Sequence, residues 1–194
     1  PAIDPGFPES DRIVTVDAGA PVPMIAVAFP MAAYGEPGYF AADTLTDILS
    51  VGRTARLRTN LVNGSGRGLV TDADASIIGS EGPGLLLLTA RVSSDDDAAL
   101  DRARKLLIEE ARRLATPGEI TGAELERTLN NFEASFRFSN TGYLALAGNL
   151  ALAELHGEDI NATVTDRRRL TPGELQRTAA HIFLDTPSAT VIYK

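Results

Sequence analysis

The stretch GRTARLRTNLV at residues 52–62 decides the fold because of the patterns on either side of it. Before it, residues 38–50 have helical spacing and collect four apolar side chains on one side: Ala41, Leu45, Ile48 and Leu49. Gly52 follows as a stop for that helix. Two leucines one turn apart predict a second helix over residues 54–62. The stretch is therefore expected to carry the chain from a longer helix into a shorter one.

Two strands are predicted after this helical segment. A turn over residues 63–66 leads into a strand over residues 69–78, and another strand covers residues 85–92. The connection, residues 79–84, contains the Gly and Pro that are typical of a turn. The four leucines at residues 85–88 favour a strand over a helix, because the run is short and Gly and Pro precede it.

Strands also begin and end the predicted domain. Residues 12–17 mix polar and apolar side chains as a half-buried strand does, and residues 190–193 form a closing strand that is expected to be tied into the sheet. Residues 24–29 are all apolar, which suits a strand covered on both faces or one at the centre of a sheet. Residues 1–10, rich in Pro, are interpreted as a linker, so a single domain is expected over residues 11–194.

Four helices are predicted between the second pair of strands and the last strand. The first has Ser94 as its expected N-cap, and the third covers residues 143–155. The second and fourth begin at Thr-x-x-Glu sequences, residues 121–124 and 171–174, that are typical of capping boxes. The order β-β-α-α-β-β-α-α-α-α-β predicts an α+β fold, a two-layer sandwich of a largely antiparallel sheet packed against helices.

The composition is ordinary for a single globular domain of 194 residues, with 44% hydrophobic and 23% charged residues. A net charge of −8 argues against a nucleic-acid partner, since phosphate binding needs concentrated Lys and Arg. Arginines cluster at Arg53, Arg56 and Arg58 and again at residues 167–169, and both clusters are interpreted as solvated faces. No apolar run approaches the ~20 residues that a membrane span needs.

The chain contains no cysteine, which excludes disulfides, thiolate nucleophiles and Cys-based metal sites. This absence leaves both the cytoplasm and the periplasm open as compartments. The sequence opens on Pro1 rather than Met, so we expect a fragment or a processed product whose targeting segment has been removed.

A catalytic zinc site needs about three protein ligands, and the chain has two histidines outside any His-x-x-Glu-His or His-Glu-x-x-His frame. His156 is interpreted as a helix-end residue that favours the helix dipole. His181 and Asp185 lie one turn apart and could bind an ion weakly, but a polar pair at a helix end is the favoured interpretation. We therefore predict no metal ligand and no cofactor in this chain.

Other candidate catalytic groups are interpreted as structural. Ser65 lies between two glycines but follows no strand of the kind that a nucleophile elbow requires, so a flexible loop is expected there. Strand alternation places Asp72 and Asp74 on one face, which is interpreted as a solvated sheet face. No phosphate-binding or dinucleotide-binding sequence is present. No catalytic residue is predicted.

Taken in order, these pieces resemble the non-catalytic lobe of the pitrilysin/insulinase family of zinc peptidases, which includes the processing peptidases. The resemblance rests on a Gly-x-small-small-Arg-Leu segment and a Gly-Leu strand entry, whose positions here are Gly52, Arg56, Leu57, Gly68 and Leu69. Residues 118–125 also resemble the stretch that opens the family's next helix. The resemblance covers residues 12–193, and it implies a processing-peptidase-like α+β domain in which those five residues are structural.

One departure from the family pattern limits what the resemblance implies. Last domains of the family often carry an Arg and, seven residues later, a Tyr, both of which contact substrate. The corresponding positions here are Gly64 and Thr71, so no substrate-binding residue is predicted. The chain resembles instead the domain that directly follows a catalytic one.

The resemblance implies a non-catalytic domain of a zinc metalloendopeptidase that helps form the substrate chamber beside a separate zinc-bearing domain. That partner belongs to the same polypeptide or to a partner subunit, and it is expected to hold the zinc; peptide is the expected substrate of the assembled enzyme. This chain alone is predicted to be inactive. Two alternatives remain open: a scaffold or assembly subunit of the same family with no proteolytic role, and an independent ligand-binding module.

Overall fold

One sheet of five strands organises the computed structural model of the chain, which describes residues 7–79, 82–157 and 159–194. The strands are β1 (Arg12–Val16), β2 (Met24–Met31), β3 (Val70–Ile78), β4 (Gly84–Val92) and β5 (Ala189–Tyr193), arranged in the order β1-β5-β2-β4-β3. Only the β1–β5 pair is parallel among these neighbours. The predicted α+β fold with a largely antiparallel sheet is confirmed. Residues 1–6 of the expected linker, and Ser80 and Glu81 of the predicted turn, lie outside the described residues.

The burial of β1 and β2 follows from their positions in the sheet. The apolar β2 lies between β5 and β4 and buries Ile25, Val27 and Phe29 on one face, so the prediction of a central strand is correct. The prediction of a half-buried β1 is wrong, because all five of its residues are exposed. β1 pairs with β5 at the edge of the sheet, where its polar and apolar side chains remain exposed.

The helices pack mainly against one face of the sheet, where α1 contacts β3 and α2 contacts β4. They are α1 (Tyr39–Ser50), α2 (Asp97–Arg113), α3 (Gly122–Ser139), α4 (Tyr143–His156), α5 (Ala162–Arg168) and α6 (Pro172–Ala180). Two π-helices, Leu57–Ser65 and His181–Asp185, complete the described elements. α5 is not among the predicted helices, because its seven residues include a β-branched run and no apolar stripe.

The first π-helix replaces both the short helix predicted over residues 54–62 and the loop predicted around Ser65. The chain first makes a turn in which the Ala55 N–H bonds to the Gly52 carbonyl, so the helical segment begins three residues late. It ends where the Gly66 N–H bonds to the Leu61 carbonyl at 2.8 Å. A Cβ at Gly66 would lie 3.0 Å from the Leu61 carbonyl oxygen, so any other residue would require its neighbours to shift by a few tenths of an ångström.

Helix starts agree with the sequence in two cases and differ in one. Thr121 and Thr171 are the N-caps of α3 and α6, as the Thr-x-x-Glu sequences predict. At α2, however, Asp96 is the N-cap and accepts from the Ala99 N–H at 3.0 Å. Ser94 instead accepts from the Asp96 N–H, so it stabilises the turn before the helix.

The core lies between the sheet and the helices. Phe29 of β2 and Phe183 of the second π-helix meet edge to face, with ring centroids 5.2 Å apart. The apolar stripe of α2 and its C-cap is buried along its whole length: Leu100, Ala103, Leu107, Ala111 and Leu114. Burial of such side chains at ~25 cal/mol per Å² of apolar surface is the main force that holds the two layers together.

Candidate functional site

Arg56 lies inside the domain, next to the first π-helix, and only 7% of its surface is exposed. Its Nε and Nη2 donate to the two carboxylate oxygens of Glu124 at 2.8 and 2.7 Å. Nη2 also donates to the Glu119 backbone carbonyl at 2.6 Å, and Nη1 donates to the Glu119 carboxylate at 3.3 Å. The hydrogen bonds that Arg56 donates to Glu124 raise the pKa of Arg56. The interpretation of Arg56 as part of a solvated face is therefore wrong.

The bond between Arg56 and Glu124 joins the two separate pieces of sequence that carry the family resemblance. It also changes the start of α3. In α6 the Glu174 carboxylate accepts from the Thr171 N–H, which completes a reciprocal capping box. In α3 only the Thr121 side chain caps, because the equivalent Glu124 carboxylate is bonded to Arg56. Because Glu124 pairs with Arg56, its carboxylate links the start of α3 to the first π-helix and does not cap α3.

The other motif residues shape the backbone and the core. Gly52 and Gly68 have φ values of +91° and +81°, in the left-handed region that favours glycine. Leu57 is fully buried, and Leu69 packs against the same core. The structure brings Arg56 together with Glu119 and Glu124, but the five motif residues do not converge on a cleft.

Arg167, at the end of α5, is also buried, so its assignment to a solvated face is wrong as well. Its neighbours Arg168 and Arg169 are exposed, as expected. Arg167 pairs with Asp43 of α1, and its guanidinium lies over the Phe132 ring of α3, 3.8 Å from the centroid. Its Nε and Nη1 have no hydrogen-bond partner among the described residues, and burial lowers its pKa to about 10.

The positions where the family has substrate-contacting residues are Gly64, in the first π-helix, and Thr71, in β3. A register shift between Val70 and Asp72 leaves Thr71 outside the regular strand pairing, although its hydroxyl donates to the Arg91 carbonyl of β4 at 3.3 Å. Thr71 lines a polar cavity of about 450 Å³. Arg58 and Arg91 line the same cavity. Arg58 is exposed, as predicted for its cluster, but the sequence pattern gives no sign that it lies near Thr71.

No group of three His, Asp or Glu side chains that could hold a metal ion occurs in residues 7–79, 82–157 and 159–194. His156 ends α4 and stacks on Tyr34 with ring centroids 4.6 Å apart. His181 and Asp185 belong to the second π-helix. Over the same described residues, no helix has the length and apolarity to cross a membrane.

The helix α4 presents apolar side chains to solvent. Its inner stripe, which faces the domain, is half-buried and includes Asn149, whose Nδ2 donates to Asn140 Oδ1 at 2.7 Å. The side chains elsewhere on α4 include Tyr143 and Leu144, which are 93% and 89% exposed. We call the α4 outer face the set of exposed large residues Tyr143, Leu144, Leu150, Leu152 and Leu155. A helix that is apolar on its outer side is normally buried by another structure.

Besides the α4 outer face, the domain has another incompletely covered surface, which is the face of the sheet opposite the core. We call it the open face, and its central residues are Ala26 and Ala28 of β2 and Leu87 of β4, all half-buried. Toward one end it becomes charged, because Asp72, Asp74 and Arg91 are exposed there. Asp72 of β3 pairs with Arg91 of β4, and Asp74 pairs with Thr89. The predicted common face of Asp72 and Asp74 therefore exists, and it is solvated.

The sequence also matches a family model. The model of the peptidase M16 inactive domain matches residues 1–132, which is more than half of the chain. The chain belongs to this family. The predicted relationship to the non-catalytic lobe of pitrilysin/insulinase-type zinc peptidases is confirmed. A comparison with curated proteins gives no match.

Solved structures of similar fold agree with this family. A protease from Helicobacter pylori matches with a TM-score of 0.81 and 25% identity, over 96% of this M16 domain and 45% of that chain. A peptidase M16 inactive domain from Pseudomonas fluorescens matches with a TM-score of 0.76 and 13% identity, over 95% and 43%. The chain therefore spans less than half of these two structures. The inactive peptidase domain of a candidate zinc protease from Bordetella parapertussis matches over 89% of this domain and 92% of that chain, with a TM-score of 0.76 and 20% identity.

Proposed function

We propose that this M16 inactive domain packs beside a separate zinc-bearing domain and helps to enclose the chamber in which that domain cleaves peptides. The observation that carries the proposal is the α4 outer face, together with membership of the family. Residues 143–153 contain no charged side chain, although the chain as a whole has a net charge of −8. Permanent protein–protein interfaces are more apolar than transient ones. A permanently attached partner domain fits such a surface.

The open face of the sheet suits a different part of the same role. Its charged end can remain in contact with water, whereas the α4 outer face cannot do so without cost. We therefore assign the α4 outer face to the contact with the partner, and the charged end of the open face to the wall of the chamber. Under this proposal the zinc and the catalytic residues belong to the partner.

The proposal is tested by mixing the purified chain with the zinc-bearing domain encoded in the same gene or beside it. We expect a one-to-one complex in analytical ultracentrifugation and peptide hydrolysis that requires both parts. Leu152→Asp should weaken the complex at least tenfold, because it places a charge in an apolar interface. Leu184→Asp is the matched control, since Leu184 and Leu152 are 54% and 55% exposed and Leu184 lies in the second π-helix.

Three outcomes would decide between the readings. Stoichiometric zinc with peptide hydrolysis by the purified chain alone would contradict the proposal. A stable complex whose other member lacks a His-x-x-Glu-His sequence and cleaves no peptide would instead support the scaffold function. Equal weakening by both Asp variants would remove the α4 outer face as the contact surface.

A further inference from the structure

A small cavity lies between α1 and α3, near the C-terminal end of α1. Its volume is about 200 Å³, and its lining is Asp47, Val51, Thr128, Asn131, Phe132 and Ser135. The polar side chains among these residues all carry an oxygen that accepts hydrogen bonds. The cavity is separate from the ion pairs of Arg56 and from the α4 outer face. It plays no part in the function proposed above.

The Asp47 carboxylate lacks a hydrogen-bond donor among the described residues. The cationic atom that approaches it is Nη1 of Arg167, at 3.6 Å, which is too long for a hydrogen bond. Burial raises the pKa of Asp47 to about 6, as expected for a carboxylate that has lost water and gained little in return. The Asp47 side chain is 22% exposed, so water reaches it only in part and the carboxylate can still accept a hydrogen bond from a ligand.

The charges around the cavity leave room for one more cation. Asp43 and Asp47 of α1 contribute two negative charges, and Arg167 of α5 contributes one positive charge, so the group carries a net charge of −1. The last turn of α1 contains no basic residue, and the free carbonyls at a helix C-terminus favour a positive charge. On α3 the charged neighbour Glu133 is already paired with Arg137 and Arg168.

We propose that this cavity binds an alkylammonium group, from a free primary amine or from a lysine side chain of a partner polypeptide. An ammonium has three donors and no acceptor, which matches the Asp47 carboxylate, the Asn131 amide oxygen and the Ser135 hydroxyl. Its narrow alkyl stem fits a cavity of about 200 Å³. A calcium ion fits poorly, because it takes 6–8 oxygen ligands and one carboxylate lines the cavity.

The first test uses n-butylammonium chloride as the probe and amide NMR spectra of the whole chain at pH 7.5. We expect shifts centred on Val51, Gly52 and Asn131, with a Kd on the order of 1–10 mM for so small a ligand. Sodium chloride at equal ionic strength should leave these signals unchanged. At pH 5 the affinity should fall about tenfold, because a carboxyl with a pKa of about 6 is then mostly protonated.

Two variants assign the binding to this cavity. Asp47→Asn should reduce the affinity for n-butylammonium at least tenfold, whereas Asp72→Asn on the exposed sheet face should leave it unchanged. Ser135→Lys places an ammonium at the cavity from α3, so it should raise the Tm and abolish the shifts caused by the probe. The gain in Tm should disappear when Ser135→Lys is combined with Asp47→Asn. Circular dichroism of each variant checks that the fold is retained.

The source of the ammonium is separated by three further probes. N-acetyl-lysine N-methylamide that binds at least tenfold more tightly than n-butylammonium supports a lysine of a partner polypeptide, and equal affinities support a free amine. N-acetyl-norleucine N-methylamide lacks the charge and should not bind. Binding of the norleucine probe with similar affinity, or the absence of shifts with every ammonium probe at pH 7.5, would overturn the proposal.

Discussion

Arg56 and Arg167 are both buried arginines at the edge of the helical layer, but their surroundings differ. Arg56 makes four hydrogen bonds, all of them to Glu119 and Glu124. Arg167 has two nitrogens without hydrogen-bond partners among the described residues and is held by Asp43 and by the Phe132 ring. Burial is similar, so the partners explain why the pKa of Arg56 is raised and that of Arg167 is lowered to about 10.

The difference shows what each arginine contributes to the domain. Arg56 ties the first π-helix to the start of α3 through acceptors that lie more than sixty positions later in the chain. Ion pairs that include several hydrogen bonds hold two elements in one relative orientation. Arg167 attaches the short α5 to α1 and α3, but it leaves Asp47 without a donor next to a cavity. The carboxylates beside Arg56 are thus paired with it, whereas the Asp47 carboxylate near Arg167 can still accept a hydrogen bond from a ligand.

The largest expected effect comes from Arg56→Met. The variant removes all four hydrogen bonds and leaves Glu124 with an uncompensated charge at a site where its side chain is only 14% exposed. Breaking one side of a buried ion pair costs about 3–5 kcal/mol, so we expect a loss of about 3 kcal/mol in the free energy of unfolding. Urea denaturation at pH 7.5 measures it, and the m-value should not change.

Two controls sharpen this prediction. Arg53→Met, at an exposed position three residues earlier, should change stability by less than about 0.5 kcal/mol. The double variant Arg56→Met with Glu124→Leu should recover much of the loss, because apolar groups of similar volume can replace a buried pair. If Arg56→Met alone costs less than about 1 kcal/mol, the proposed role of Arg56 as a tie between two elements is wrong.

A smaller effect is expected from Arg167→Met. The change removes the pair with Asp43 and the contact with Phe132, but it also removes two nitrogens that lack partners. We expect a loss of about 2 kcal/mol at pH 7.5, measured by urea denaturation. Arg168→Met, which removes an exposed pair with Glu133, should cost less than about 1 kcal/mol. A loss as large as that of Arg56→Met would erase the distinction between the two arginines.

The elements that sequence patterns predict well are those whose neighbours are local. The stripe from Leu100 to Leu114 has the helical period, and all of it is buried in α2. The four leucines of β4 have too few residues and too much Gly and Pro nearby for a helix, and they form a strand. Hydrophobic periodicity and flanking Gly and Pro residues are sufficient to predict such elements, because the packing of one face determines them.

Long-range partners explain what the sequence does not predict. Arg56 and Arg167 lie in runs of arginine, which are normally solvated, and only the folded chain brings Glu124 and Asp43 to them. α5 has no apolar stripe and is held largely by Arg167, so its pattern carries little signal. The exposed outer side of α4 could not be predicted either, because an apolar helix is expected to be covered within its own domain.

The smallest expected effect is the pH dependence of Asp47→Asn. Burial raises the pKa of Asp47 to about 6 in the folded chain, above the ordinary aspartate value of 3.8. The stabilisation linked to the protonated form is therefore fully present below pH 4 and is lost as the pH rises through 6. Wild type should lose roughly 1 kcal/mol from this group between pH 5 and pH 7.5, because the carboxyl in the folded chain is mostly protonated at pH 5 and charged at pH 7.5. Asn cannot titrate, so the variant should lack this slope and equal or exceed wild-type stability at pH 7.5. Urea denaturation at both pH values measures the difference, and an unchanged slope in Asp47→Asn would mean that Arg167 already satisfies the carboxylate.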